Sequence, residues 1–142
     1  MIVIGLTGGI GTGKSQVATI LQDMGVEVIN ADVLGHQVYE PRTEGWREVV
    51  EAFGKDVLTP TGEVDRKKLG ATVFSDPEAL GRLNAIMHPR IYQMVEERLE
   101  GLKDEGRQVV VVEAALLVEA NWVSLVDEVF IAGRLVYSGG GA

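Results

Sequence analysis

The sequence predicts an α/β fold, a parallel sheet carrying an inserted and mostly helical domain, from three observations. Residues 2–29 read as strand, glycine loop, amphipathic helix and strand. The four consecutive valines from Val109 to Val112 suit a strand buried on both faces. Between these segments, from about residue 33 to 105, the apolar residues keep helical spacing.

The first strand is Ile2 to Leu6, short, apolar and ended by Gly8 and Gly9. Val17, Ile20, Leu21 and Met24 then fall at i, i+3, i+4 and i+7, the stripe of a helix that Gly25 stops. Val26 to Ile29 is the second strand, and a parallel pair joined this way implies a right-handed crossover. In the middle, Trp46, Val49, Val50 and Phe53 mark a helix, and Thr59-Pro60-Thr61-Gly62 a turn. Ser75-Asp76-Pro77-Glu78 carries a capping-box pattern, which predicts a helix from Ser75 to about Met87. Pro89 predicts the first turn of a new helix, with His88 near its cap. Ile91, Met94, Val95, Leu99 and Leu102 form that helix's apolar face, opposite Glu96, Glu97, Glu100 and Lys103. Gln108 to Val112 and Val129 to Ala132 read as further strands, with a partly helical stretch from Leu116 to Leu125 between them. Ser138 to Ala142 has nothing to bury and reads as disordered.

A chain of 142 residues has room for a real core, and its 46% hydrophobic and 24% charged residues are ordinary for a globular protein. The net charge of -8 argues against nucleic acid as a partner, which a basic surface normally marks, while leaving room for a small polyanion. The absence of cysteine excludes disulfides, thiolate metal sites and a cysteine nucleophile, and suits a cytoplasmic location. The apolar N-terminus lacks a preceding basic segment and does not read as a signal peptide. The run from Val109 to Val118, interrupted by Glu113, is too short to span a bilayer, so no membrane partner is expected.

Gly8-Gly9-Ile10-Gly11-Thr12-Gly13-Lys14-Ser15 satisfies the Walker A pattern in the context it requires, between a strand and an amphipathic helix. The glycines Gly8, Gly9, Gly11 and Gly13, with Thr12, let successive N–H groups turn towards phosphate oxygens, and the helix adds its N-terminal dipole. Lys14 supplies a mobile cation to the β- and γ-phosphates. The Ser15 hydroxyl is expected on Mg2+, and the Gln16 N–H at the α-phosphate. The fold class sharpens accordingly to a P-loop nucleoside-triphosphate hydrolase-type parallel sheet. The dinucleotide fingerprint fails, since its third glycine would fall on Lys14 or Gln16. The guanine-reading Asn-Lys-x-Asp motif is absent.

Asp32 follows the second strand, where the carboxyl ends of parallel strands face a ligand crevice. It either holds a water on Mg2+, accepts a proton from an attacking hydroxyl, or caps the next helix. Glu113 ends the valine strand in the same way, as an acid near Mg2+ or as a capping acid.

These residues together resemble a known family. Thr7 to Ser15, Ile29-Asn30-Ala31-Asp32, Val64-Asp65-Arg66, Val73-Phe74, Leu83-Asn84-Ala85-Ile86-Met87-His88-Pro89-Arg90-Ile91 and Glu113 to Glu119 match dephospho-CoA kinase in order and spacing. The resemblance implies transfer of the ATP γ-phosphoryl group to the 3′-hydroxyl of dephospho-CoA, the last step of coenzyme A synthesis, with Mg2+ accompanying ATP. It implies a nucleotide-binding core at 1–32 and 106–134 and a dephospho-CoA-binding insert at 33–105; the tail at 135–142 reads as disordered from its own composition. Asp32 corresponds to the acidic residue facing the acceptor hydroxyl, and Asp32 with Lys14 forms the implied catalytic pair. Acceptor contacts are implied for Asp32, Arg66 and His88. Arg66 meets an acceptor phosphate or belongs to a helix cap; His88 meets the acceptor, the domain core, or caps the helix at Pro89. Metal contacts are implied for Ser15, Asp32 and Glu113. His36 has no motif and reads as a surface residue.

The sequence departs from the family in three places: Asn30 and Glu113 replace aspartates, and Ala115 replaces a proline. The family also continues past the Val129 strand with an arginine-bearing lid, an adenine-packing segment and a final helix, none of which the residues after Ile131 resemble. Two alternatives therefore stand beside the kinase reading: a nucleotide-binding chain with little transfer, and another small-molecule P-loop kinase. The stretch from Leu83 to Ile91 argues against the latter.

Overall fold

The computed structural model describes residues 1–8, 13–115, 117, 120, 122–132 and 134–135. Strand β1 (Ile2–Thr7), helix α1 (Lys14–Asp23) and strand β2 (Glu27–Asn30) form the strand–helix–strand unit the sequence predicts. Gly25 ends α1 with φ 87°. The Gly25 N–H donates to the Gln22 carbonyl and the Val26 N–H to Leu21, which satisfies the last carbonyls of the helix.

Four helices fill the middle: α2 (Ala31–Val38), α3 (Glu44–Phe53), α4 (Arg66–Phe74) and α5 (Pro77–Asp104). Strands β3 (Val109–Glu113), β4 (Glu128–Ile131) and β5 (Arg134–Leu135) follow, with a 3-10 turn at Trp122–Leu125. The sheet order is β2-β3-β1-β4-β5, with β1 paired in parallel to both β3 and β4. β5 is antiparallel to β4, so the sheet is not parallel throughout. That two-residue strand lies beyond the last apolar run, where no periodicity announces it, and Leu135 in it belongs to the segment expected to be disordered. Residues 136–142, and Leu116, Val118, Glu119 and Asn121 of the expected helical stretch, lie outside the described residues.

The contacts divide the chain into two compact units, residues 33–93 and the remainder. The second boundary thus falls inside α5 rather than at 105. In the sheet-bearing unit, Val110, Val111 and Val112 are essentially inaccessible, as expected for a strand covered on both faces. From α5, Val95, Leu99 and Leu102 are buried there too. Beside α1, Ile4, Leu6, Val17, Leu21 and Phe130 line an apolar groove of about 530 Å³. The other unit is built on Val49, Val57, Leu69, Val73 and Ala79.

Helix α5 corrects two sequence expectations. Its N-terminal cap is Asp76, whose Oδ1 accepts from the N–H groups of Glu78 and Ala79 at 3.0 and 3.3 Å. Ser75 is instead the C-terminal cap of α4, so the capping-box pattern pointed one residue early. The helix also runs through Pro89 without ending. A proline inside a helix costs about 3 kcal/mol through a lost N–H bond and a clash with the preceding turn. Two features offset that cost. The Arg90 Nη1 donates to the Ile86 carbonyl at 2.9 Å. Met87 and Ile91, buried on either side of the proline, pack at Gly35 of α2. Local sequence rules register the proline but not this packing.

Gly45 in α3 shows how tight the second unit is. A Cβ there would enter the van der Waals shell of the Val38 carbonyl oxygen and lie 2.8 Å from Val38 Cγ1. Gly45→Ala is expected to destabilise this unit by about 3 kcal/mol, because backbone has to move to make room. A urea titration checks this, as a lower unfolding midpoint at unchanged slope.

Candidate active site

The carboxyl ends of β1, β2, β3 and β4 lie at one edge of the sheet. Register pairs Leu6 with Glu113, Thr7 with Ile131 and Asn30 with Glu113. Gly13, with φ 86°, turns the chain from the glycine loop into α1 and leaves Lys14 as the first residue of the helix. Gly8, Lys14, Ser15 and Gln16 are described; Gly9, Ile10, Gly11 and Thr12, assigned to phosphate from the motif, lie outside the described residues.

Lys14 brings two of the expected acids together. Its Nζ is 3.3 Å from Asp32 Oδ2 and 3.4 Å from Glu113 Oε1. The Glu113 side chain is only 7% exposed and that of Lys14 14%, whereas Asp32 is 44% exposed. A buried carboxylate is costly without a partner, and Lys14 supplies one to Glu113. Asp32 lies within the first turn of α2, one residue past its start, and so does not cap it. Its Oδ2 also accepts the Ala115 N–H at 3.2 Å.

Thr7 completes this arrangement; the sequence placed it at the head of the family-like stretch but gave it no role. It is buried, and its hydroxyl donates to the Ala115 carbonyl at 3.0 Å. The Ala114 N–H donates to the Leu6 carbonyl and the Ala132 N–H to the Thr7 carbonyl, which ties the residues just past β3 and β4 to the end of β1. Apart from its place in that stretch, the signal for Thr7 was a polar residue ending an apolar strand. Ala115 acts through its backbone, which no side-chain pattern reveals.

Arg66 and His88 belong to the other unit. Asp65 caps α4 by accepting from Lys67 and Lys68 at 3.0 and 3.2 Å, which leaves the Arg66 side chain out of the cap. Arg66 Nη1 lies 3.2 and 3.0 Å from the two ring nitrogens of His36. Near-equal distances place it beside the ring rather than on one lone pair. His36 is exposed, as expected, but stands in a cluster with Arg66 and with Tyr39, whose ring centroid is 6.2 Å away. Burial raises the pKa of the Tyr39 hydroxyl, against an opposing pull from Arg66. His88 lies inside α5, not at a helix cap, because α5 continues past Pro89. Partial burial lowers its pKa below the usual 6.5, which favours the neutral ring.

Among the described residues no helix is long and apolar enough to cross a membrane. A family model described as dephospho-CoA kinase matches residues 2–133. The dephospho-CoA kinase of Geobacter sulfurreducens is 47% identical over 131 residues, covering 92% of this chain and 66% of the relative. That of Dehalococcoides mccartyi is 44% identical with the same coverage. The chain thus spans just under two thirds of the length of these curated relatives. Among solved structures, a Thermus thermophilus protein superposes with a TM-score of 0.78 at 34% identity, covering 92% of this chain and 64% of that one. Dephospho-CoA kinase from Campylobacter jejuni superposes with a TM-score of 0.72 at 27% identity, covering 91% and 64%.

Proposed function

The chain belongs to the dephospho-CoA kinase family, and from that premise we propose that it transfers the γ-phosphoryl group of ATP to the 3′-hydroxyl of dephospho-CoA. The observation that carries the reading is the convergence of Lys14, Asp32 and Glu113 at the carboxyl edge of the sheet, at the end of the Walker A loop.

In this reading the loop amides and Lys14 bind the triphosphate, and the α1 N-terminus adds its dipole. The donors available for Mg2+ are the Ser15 hydroxyl and the Asp32 and Glu113 carboxylates, all hard oxygens and therefore a chemical fit for that ion. Bound there, Mg2+ would neutralise charge on the phosphates. Asp32 is the more exposed acid and already carries one fixed hydrogen bond, from Ala115. It is assigned to orient the acceptor hydroxyl and take its proton, while the bond from Ala115 holds its carboxylate in one orientation. Glu113, buried behind Lys14, is assigned to the metal side together with Asp32. Arg66 and His88, in the unit of residues 33–93, are assigned to the acceptor, with the Arg66 guanidinium suited to a phosphate oxygen.

ADP release measured with and without dephospho-CoA tests this. The proposal expects release that depends on dephospho-CoA and is not supported by a nucleoside or shikimate. ATP binding without acceptor-dependent release would assign the chain nucleotide binding alone.

A further inference from the structure

Two roles compete for the same three side chains. In the structure Lys14 Nζ sits on both Asp32 and Glu113. In the donor-site reading, Lys14 belongs on phosphate and the two carboxylates serve a divalent cation. Both arrangements cannot hold at once. A cation of charge +2 between those carboxylates, with the ammonium still in contact with them, would face like charge within a few Å, a repulsion that is strong near a protein surface. The protein also offers little to offset it. Among the described residues no group of three or more His, Cys, Asp or Glu side chains could hold a metal ion. Mg2+ gives up its water reluctantly and is normally held by one or two carboxylates together with substrate phosphates.

We propose that Lys14 occupies the cation position in the nucleotide-free chain, and that this position opens to a divalent cation only when triphosphate draws Lys14 away. The inference rests on the loop being the ATP donor site. Asp32 does not depend on the lysine for its orientation, because the Ala115 N–H holds it at 3.2 Å. Asp32 is therefore in place when the lysine leaves. Metal and nucleotide then enter as one unit, and free cation is refused.

The test uses Mn2+ alone, titrated into the full chain without nucleotide and followed by the electron paramagnetic resonance signal of free Mn2+. Lys14→Gln is expected to bind Mn2+ at least about tenfold more tightly than the unsubstituted chain, since one neighbouring positive charge is gone. Lys14→Arg, which keeps the charge, is expected to bind no more tightly. Asp32→Asn added to Lys14→Gln is expected to abolish the gain. Unchanged or weaker Mn2+ binding by Lys14→Gln overturns the proposal, as does an equal gain in Lys14→Arg.

Lys14→Gln also removes the counter-charge of a buried carboxylate, so a second measurement uses the unsubstituted chain. The amide resonances of Asp32 and Ala115 are expected to stay in place in millimolar Mg2+ alone and to move when Mg2+ is added with ATP. Movement in Mg2+ alone overturns the proposal. Neither readout involves dephospho-CoA, so failure of transfer to that acceptor leaves the proposal standing. If the unsubstituted chain fails to bind ATP while the Mn2+ gain persists, the donor-site reading falls, and with it the release by triphosphate.

Discussion

Replacing Lys14 by methionine is expected to weaken ATP binding about a hundredfold. A charge-assisted hydrogen bond contributes roughly 1.5–3 kcal/mol, and 1.4 kcal/mol is a factor of ten in affinity. Lys14 is the first residue of α1 and lies next to the glycine loop, with its side chain already reaching the edge where the strands end. The same substitution removes the partner of Glu113, whose side chain is 7% exposed, so a loss of folding stability accompanies the loss of binding. Calorimetric ATP titration at a temperature where both proteins are folded separates the two effects. A methionine variant that binds ATP as tightly as the unsubstituted chain would remove Lys14 from the donor site.

Asp32→Asn is expected to do the opposite in one respect. ATP binding should change little, because losing the carboxylate's repulsion of the phosphates offsets losing one of the acids assigned to Mg2+. The rate of transfer should fall by about 10²- to 10⁴-fold, the range for losing a positioned general base. The amide is close in shape to the carboxylate, and its oxygen can still accept the Ala115 N–H that now holds Asp32. The comparison is of turnover at saturating substrates against the ATP dissociation constant. Equal losses in both would make Asp32 a binding residue, not one that acts on the hydroxyl.

Much of the fold was legible because its signals are local. The stripe Val17, Ile20, Leu21 and Met24, the stop at Gly25 and the valine run each report a nearby physical requirement, and the corresponding elements formed within a residue or so. The continuation of α5 through Pro89 was not legible, since it depends on Met87 and Ile91 packing at Gly35, more than fifty residues away in sequence. The same division applies to the site. Lys14, Asp32 and Glu113 were each visible as residue types at the ends of strands. Their meeting on one ammonium group depends on β1 lying beside β3, and β3 beside β2, a neighbourhood that no single segment encodes. The departure at Glu113 also gains a physical reading. From the end of β3 its carboxylate comes within 3.4 Å of Lys14 Nζ, so the longer side chain is accommodated in contact with the lysine. The roles of Thr7 and Ala115 stayed hidden because one acts from a buried strand end and the other through its peptide group.

The most direct measurement of the central claim is the fate of the γ-phosphoryl group. The chain is incubated with Mg2+, dephospho-CoA and ATP labelled at the γ-phosphorus, and the products are separated. The account predicts label on the 3′-oxygen of coenzyme A, with none there when Asp32 is asparagine beyond the residual rate given above. Label released only as inorganic phosphate, or carried to another acceptor in preference to dephospho-CoA, would contradict it.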